Sequence, residues 1–466
     1  MDSATGTGRR HAVVVGGSLA GLLAAHVLAG HADRVTVVER DRFPEGGGAR
    51  PGVPQGRHPH VLLKGGQTAL ESLLPGFLAE LRAAGAPWVG LPSDMALWQN
   101  GHWLRRFPAS THIFTGSRGQ LEELVRRRVL ADPAIEVLEG TDVVGFLGDS
   151  ARVRGVRVRD RAEGAGAGLR DLAADLVVDA SGAGTKAPQW LTELGAGAVH
   201  EETIDTGLAY ASRIYRGEGG IQLDADTVGY YVYPSPEQIH GGGALPLEDG
   251  THLVIVSGLR GDEPPTGDEE FVAYTKRLGH PLLDRWLAEA EPLTPPFGFR
   301  RTSNVRRRYD LPGTPAGFLA TGDALCTFNP IYGQGMAIAA MSAVALRDAL
   351  AGTGRRTPTT RRVQRVLLAA SRQAWDISAG ADRQMPGAVG TAAAIRPADR
   401  VSGWYLRRVT DRSPGDPVVG RAFRAVLTLA EPVTALFAPP VLRAVLFGAP
   451  APTPAQPQSS RELDRA

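Results

Sequence analysis

The chain has 466 residues, a hydrophobic share of 43% and a formal net charge of +2. That supports a substantial core in two or three structural units, and the near balance of charge gives no reason to expect a nucleic-acid partner. The single cysteine, Cys326, excludes an intramolecular disulfide and a cysteine-rich metal site, and no metal is expected.

His11–Val15 is a short β-branched run, followed by a glycine turn, a helix pattern from Leu19 to about Leu28 and a second strand, Arg34–Glu39, which together make a βαβ start. Glu45–His60 is turn-rich and predicted as a loop. Gln67–Ala84 reads as a helix interrupted near Pro75, Trp98–Phe114 as paired strands and Arg118–Leu130 as an amphipathic helix. Ala134–Leu138, Val153–Arg159 and Asp175–Asp179 read as strands. From Gly207 to Gly261 longer alternating strands predict an inserted antiparallel sheet. Asp268–Ala290 is helical, Gly317–Thr321 returns to a short buried strand, Gly335–Leu350 is a helix, and the rest to about Phe447 is mostly helical.

No apolar run reaches the roughly 18 residues of a membrane span. Phe423–Pro450 comes nearest and is broken by charges and prolines, so docked helices are expected there. The N-terminal MDSATGTGRR runs straight into a strand without a leader-like segment, and a cytoplasmic protein with no stable membrane insertion is expected. The Pro/Ser-rich tail, 451–466, is expected to be disordered.

The stretch VVVGGSLAG, Val13–Gly21, ends a strand, turns on glycine and opens a helix. Backbone N–H groups and the helix dipole at such a start suit a pyrophosphate. Gly16 supplies the turn and Gly21 lets helix and strand pack closely, while Ser18 stands where GxGxxG has its middle glycine. Glu39 ends the second strand at about the 20-residue spacing that places an acid on the adenosine ribose, which argues against a 2′-phosphate there. This turn alone does not separate NAD from FAD.

A second motif lies in TGDALCTFNPIYGQGM, Thr321–Met336. Asp323 follows a strand at the carboxyl end of the sheet, where a carboxylate can accept hydrogen bonds from a polyol chain. The helix start near Gly335 offers free N–H groups and partial positive charge to the anionic edge of a reduced flavin. Gly333 and Gly335 leave room for a ring, and Pro330 stiffens the approach. A helix capped after a turn explains this stretch equally well by itself; the two motifs together favour FAD.

The pair GGSLAG…E and TGDA…NPIYGQGM resembles the FAD-dependent monooxygenases of the aromatic-hydroxylase type over about Ala12–Leu350. Arg50–Leu63, Arg105–Pro108, Thr115–Val125, Asp175–Leu191 and Phe328–Met336 are similar to segments of the bacterial epoxidases of polyether biosynthesis. The resemblance implies an α/β fold: a Rossmann-like FAD-binding domain of the glutathione-reductase/aromatic-hydroxylase type, with an inserted antiparallel-sheet substrate domain and a helical C-terminal region. The cofactor domain would take 1–85, 115–200 and 301–355, the substrate domain 86–114 and 201–300, the helical region 356–450 and the tail 451–466. By similarity Gly16, Gly17, Ser18, Ala20 and Gly21 wrap the pyrophosphate, Glu39 and the neighbouring Arg40 serve the ribose side, and Arg118 touches the cofactor. Gly322 and Asp323 would take the ribityl chain, and Gly333, Gln334, Gly335 and Met336 the isoalloxazine. Arg50, Gln55, Arg57, His58 and His60 sit in the loop expected over the flavin. Relatives outside this subgroup carry Asp-Gly in the middle motif; here it is Ser181-Gly182, with Asp179 two residues earlier and Lys186 for a frequent arginine.

The chemistry implied is reduction of FAD by NADPH or NADH, capture of O2 at flavin C4a, and oxygen transfer from the hydroperoxide to an alkene of an apolar polyketide or terpenoid intermediate. No catalytic side chain is identified; Phe328, Pro330, Tyr332 and Arg57 are pocket candidates, and a subset of Trp98, Trp103, Tyr210, Tyr230, Tyr231 and Tyr233 is expected to wall the substrate. A hydroxylase of aromatic polyketides would use the same machinery. A flavin reductase or saturase of prenyl chains would turn over without O2. A flavin halogenase needs a WxWxIP-type segment, which is missing, and Lys64 stands in the wrong context for its lysine. FAD as a structural prop predicts that NADPH fails to bleach it. The choice of nicotinamide and the oligomeric state stay open.

Overall fold

The structure, a computed structural model, describes residues 10–48, 50–99, 101–162, 168–217, 227–351, 359–394, 397–459 and 462–463. The N-terminal run 1–9 and residues 460, 461 and 464–466 of the tail lie outside them.

Five β-branched or apolar runs, His11–Val15, Arg34–Val38, Ile135–Leu138, Leu176–Asp179 and Phe318–Ala320, pair in parallel. The central runs are mainly apolar, which is what a sheet covered on both faces requires, whereas the edge run Ile135–Leu138 carries the exposed Glu136. Numbered along the chain, their spatial order is 3-2-1-4-5. The order reverses beside His11–Val15, and open α/β sheets take ligands at the carboxyl ends of the strands at such a point. The helix Leu19–Ala29 is apolar almost all round because it lies against both this sheet and the helix Gly335–Ala351. Lys64–Leu73 also packs on Gly335–Ala351, so closely that a Cβ on Gly66 would stand 2.6 Å from Ala337 Cα. Gln364 closes the edge strand. Its amide accepts the Ala320 N–H at 2.8 Å and donates to the Ala320 carbonyl at 3.1 Å, supplying the bonds a further strand would make.

The alternating strands Ala209–Arg216, His252–Gly258, Gly241–Pro246 and Gly229–Val232 form an antiparallel sheet as expected. Met95–Gln99 joins Gly229–Val232 in parallel and pairs in turn with His102–Trp103. Thr111–Gly116 does not join them; it pairs with Trp88–Leu91 and His60–Leu62 in a separate sheet. The run 98–114 is therefore divided between two sheets, since Pro108 between them has no N–H for a ladder. Thr141–Gly148 and Arg170–Ala173, not read as strands from the sequence, flank Val153–Asp160 in a small antiparallel sheet.

Alternation gives the large sheet two apolar faces. Tyr210, Tyr231, Leu245 and Ile255 belong to the main core shared with the parallel sheet. Ala211, Tyr230 and Val254 pack instead with Phe271, Leu283 and Trp286, on the helices Asp268–Thr275 and Leu282–Leu287.

In the C-terminal region, Pro397–Arg412, Pro417–Leu427 and Pro439–Phe447 share a core built on Tyr405, Val409, Val419, Leu436 and Val445. Among the described residues no helix is long and apolar enough to cross a membrane. The tail departs from its expected disorder: residues 451–459 run along the sheet domain. Gln458 Oε1 accepts the Arg106 N–H at 2.8 Å, and its carbonyl accepts the Arg106 guanidinium at 2.7 Å. Gln456 meets His280, and Thr453 meets His102. Polar bonds hold this segment, and a Pro/Ser-rich composition gives no sign of them.

Candidate functional site

The first glycine turn is tied to its neighbours at short range. The Gly16 N–H bonds the Val38 carbonyl at 2.8 Å. A Cβ on Gly21 would stand 1.8 Å from the Gly16 carbonyl oxygen, so only glycine lets the helix begin this close to the strand. Glu39 is buried; its Oε2 accepts the Gly17 N–H at 2.7 Å and its Oε1 the Asp41 N–H at 2.9 Å. Arg50 Nη1 lies 3.2 Å from the same Oε2. A carboxylate has about four acceptor positions, and the two hydrogen bonds and the ion pair leave room for a ligand hydroxyl.

Arg50 extends this into a buried charge cluster. Its Nη2 donates to Glu122 Oε2 at 3.0 Å. Glu122 Oε1 accepts Arg118 Nε at 2.9 Å and the Ser18 hydroxyl. Arg118 Nη2 donates to Ser18 Oγ at 2.8 Å. Burial alone would raise the Glu122 carboxyl, but Arg118 and Arg50 beside it hold it at about 2. Burial likewise opposes the Arg50 charge, and Glu122 and Glu39 together more than restore it. Sequence reasoning singled out Ser18, Glu39, Arg50 and Arg118 and missed Glu122; its one signal is the i, i+4 pair with Arg118. Arg40 stays outside the cluster: it is exposed, with its carbonyl accepting Arg161 at 3.3 Å. Asp179 binds within its own turn, accepting the Ser181 N–H at 3.0 Å and the Ser181 hydroxyl at 2.6 Å, while Lys186 is exposed.

The late motif reaches this turn by direct packing. Gly322 has φ +57°, and a Cβ on it would stand 2.6 Å from Ala20 Cβ. Asp323 comes next. Burial pushes its carboxyl up, against the pull of Arg118 and Arg307, and among the described residues the carboxylate accepts no hydrogen bond. The turn Pro330–Tyr332 follows, with Pro330 exposed and Phe328 in the core. The helix Gly335–Ala351 starts with the Ile338 N–H on the Gln334 carbonyl at 3.0 Å, so the N–H groups before it have no partner within the helix. Gln334 is buried, and its amide oxygen has no partner among the described residues. Met336 lines a small recess with His60 and Phe114.

The loop after Glu45 folds as two short turns, Glu45–Gly47 and Pro54–Arg57. Gln55 is half-buried there. Arg57 is exposed and lies 4.6 Å over the Phe297 ring. With Arg50, His58 and Phe299 it lines a cleft of about 240 Å3 between this loop and the sheet. His58 meets Tyr210 and Phe299 at 4.7 and 5.5 Å and bonds Ser212 Oγ at 3.0 Å. Burial, then the Arg57 charge, lowers it to about 4, so its ring is neutral near pH 7. Burial and then Arg118 lower His60 to about 3. Of the aromatic residues expected as walls, Tyr210, Tyr231, Tyr233 and Phe328 belong to the core shared with the parallel sheet. Trp98, Trp103 and Tyr230 turn to the opposite face, because strand neighbours alternate.

A family model for FAD dependent oxidoreductases matches residues 12–206. Over 357 residues the chain is 37% identical to Protein Rv3254 of Mycobacterium tuberculosis, covering 75% of each chain. The chain belongs to the FAD-dependent oxidoreductase family. The solved structures to which this oxidoreductase is similar include p-nitrophenol 4-monooxygenase PnpA from Pseudomonas putida, with TM-score 0.64 and 16% identity over 90% of this chain and 98% of that one. They also include the flavin-dependent brominase Bmp2, with TM-score 0.63 and 17% identity over 90% of this chain and 93% of that one. At such identities the likeness is one of fold, and it covers both the parallel sheet and the inserted one.

Proposed function

We propose that this FAD-dependent oxidoreductase is a monooxygenase that takes electrons from NADPH or NADH and epoxidises an alkene of a small apolar polyketide or terpenoid. In this reading Gly16, Gly17, Ser18, Ala20 and Gly21 wrap the FAD pyrophosphate, Arg118 pairs with it and Glu39 takes the ribose. Asp323 binds the ribityl chain, and Gly333–Met336 face the isoalloxazine. The observation that carries the placement is Asp323: a half-buried carboxylate at the carboxyl edge of the parallel sheet that, among the described residues, accepts no hydrogen bond. Its free acceptor positions suit the hydroxyls of a ligand. The unpartnered Gln334 amide oxygen and the cradle at Gly21 and Gly322 point the same way.

Bound flavin supplies the redox and oxygen-activating chemistry. The chain binds, orients and excludes water. The Gly335 helix start directs free N–H groups and partial positive charge at the ring edge. Tyr210, Phe299 and the neutral His58 form an uncharged aromatic cluster beside the cleft, which suits an apolar substrate. Purified protein should be yellow, bleach with NADPH or NADH, and place one oxygen atom from labelled O2 in an epoxide of a polyene substrate. Label on an aromatic ring would identify the hydroxylase instead, and product formed without O2 the saturase.

A further inference from the structure

The turn leading to Gly333 is held from outside the parallel-sheet domain. Asn329 caps it, its Oδ1 accepting the Ile331 N–H at 3.2 Å. Asp382 ends the helix Arg372–Asp382 in the C-terminal region. Its Oδ1 accepts the Tyr332 hydroxyl at 2.6 Å. Its Oδ2 accepts Asn329 Nδ2 at 3.0 Å and Asn304 Nδ2 at 2.6 Å. Asn304 Oδ1 in turn accepts the Asn329 N–H at 2.9 Å and the Ser378 hydroxyl at 2.6 Å. Asn304, Asn329 and Ser378 are fully buried and Asp382 is 2% exposed.

Among the described residues no cation pairs with Asp382, and burial pushes its carboxyl up despite three hydrogen bonds; Asp205 nearby adds to the shift. A buried carboxylate without a counter-ion is a costly way to stabilise a fold. A fully satisfied polar network does give one geometry in place of several. Here the geometry concerns three residues, Asn304, Asn329 and Tyr332, two of them in the turn before the Gly335 helix start. On its other side the turn has no slack: Gly333 sits at φ +65°, and a Cβ on it would stand 2.4 Å from Val61 Cγ2.

We propose that Asp382 is a positioning residue for the flavin end of the site, fixing the 330–335 turn through Asn329, Asn304 and Tyr332. The inference rests on FAD lying at that turn. Asp382→Asn keeps the shape but turns one acceptor into a donor that faces donors. Tyr332→Phe removes one bond and keeps the ring. The measurements are FAD affinity by fluorescence, the visible spectrum and midpoint potential of the loaded protein, and Tm. Asp382→Asn should weaken FAD about tenfold, as one lost charged hydrogen bond does, shift the visible bands and lower the midpoint potential, because misaligned N–H groups disfavour the anionic reduced flavin most. Tyr332→Phe should do the same to a smaller degree with Tm nearly unchanged, and it decides the matter if Asp382→Asn does not fold. A lower Tm with unchanged spectrum and potential in the loaded variants overturns the proposal. Wild-type protein that binds no FAD would sink the placement of the cofactor instead.

Discussion

At the Gly16 turn two buried carboxylates, Glu39 and Glu122, and two guanidinium groups, the buried Arg50 and the half-buried Arg118, neutralise one another. At the Gly335 helix start two neutral amides and one hydroxyl converge on one carboxylate, Asp382, while among the described residues the Asp323 carboxylate and the Gln334 amide oxygen take no hydrogen bond. The first end is balanced internally, so it should respond to changes of charge and pH. The second is balanced in shape and incomplete in hydrogen bonds, so it should respond to geometry and to its ligand.

The largest effect expected from breaking this contrast comes from Glu122→Ala. It leaves the buried Arg50 and the half-buried Arg118 each one partner short and should cost about 3 kcal/mol in urea unfolding. Gly21→Ala should cost about 3 kcal/mol, since its Cβ would overlap the Gly16 carbonyl; the melting temperature of apo-protein reads it directly.

Acid titration probes the charged end next. The unfolded chain takes up protons at His58 and His60 below the ordinary 6.5, whereas the folded protein resists until about 4 and 3. Stability from these two is therefore complete above 6.5 and declines as pH falls. Glu122 adds a second decline as pH drops from its ordinary 4.5 toward about 2. Glu122→Gln should flatten the lower step and leave the upper one in place in pH-dependent melting curves.

Asp323→Asn should behave in the opposite manner to Glu122→Ala. It should weaken FAD binding about tenfold while apo-protein stability stays the same or rises, because among the described residues no donor loses a partner and a half-buried charge is removed. Titration of flavin fluorescence beside apo melting curves checks both halves. The smallest effect belongs to Tyr230→Phe. Among the described residues the Tyr230 hydroxyl is buried without a hydrogen-bond partner on the far face of the sheet, so its loss should be neutral or slightly stabilising with turnover unchanged, whereas Tyr231→Phe, on the near face, should shift KM.

What could be read in the sequence was local. The parallel strands and the glycine turn follow from β-branched runs and a set spacing, and both are present in the structure. Glu122 was not legible: its partners Ser18 and Arg50 lie 104 and 72 positions away, and a glutamate on an amphipathic helix looks like a solvated one. Asp382 was hidden for the same reason, since three of its partners come from distant segments. Tyr230 and Tyr231 differ only in the parity of the strand, which a list of aromatic residues does not register. Arg40 follows Glu39 directly, yet its side chain leaves for solvent because the strand has ended there.

The amide of Gln364 has a consequence for how copies of this protein behave in a crowded solution. The margin strand Phe318–Ala320 would otherwise present bare backbone groups that another chain's strand could bind, but here one glutamine on a helix satisfies both groups of Ala320. A Leu in its place would leave both groups of Ala320 buried without partners beneath the helix Thr360–Ala370, and so loosen the cover that keeps this margin from other chains.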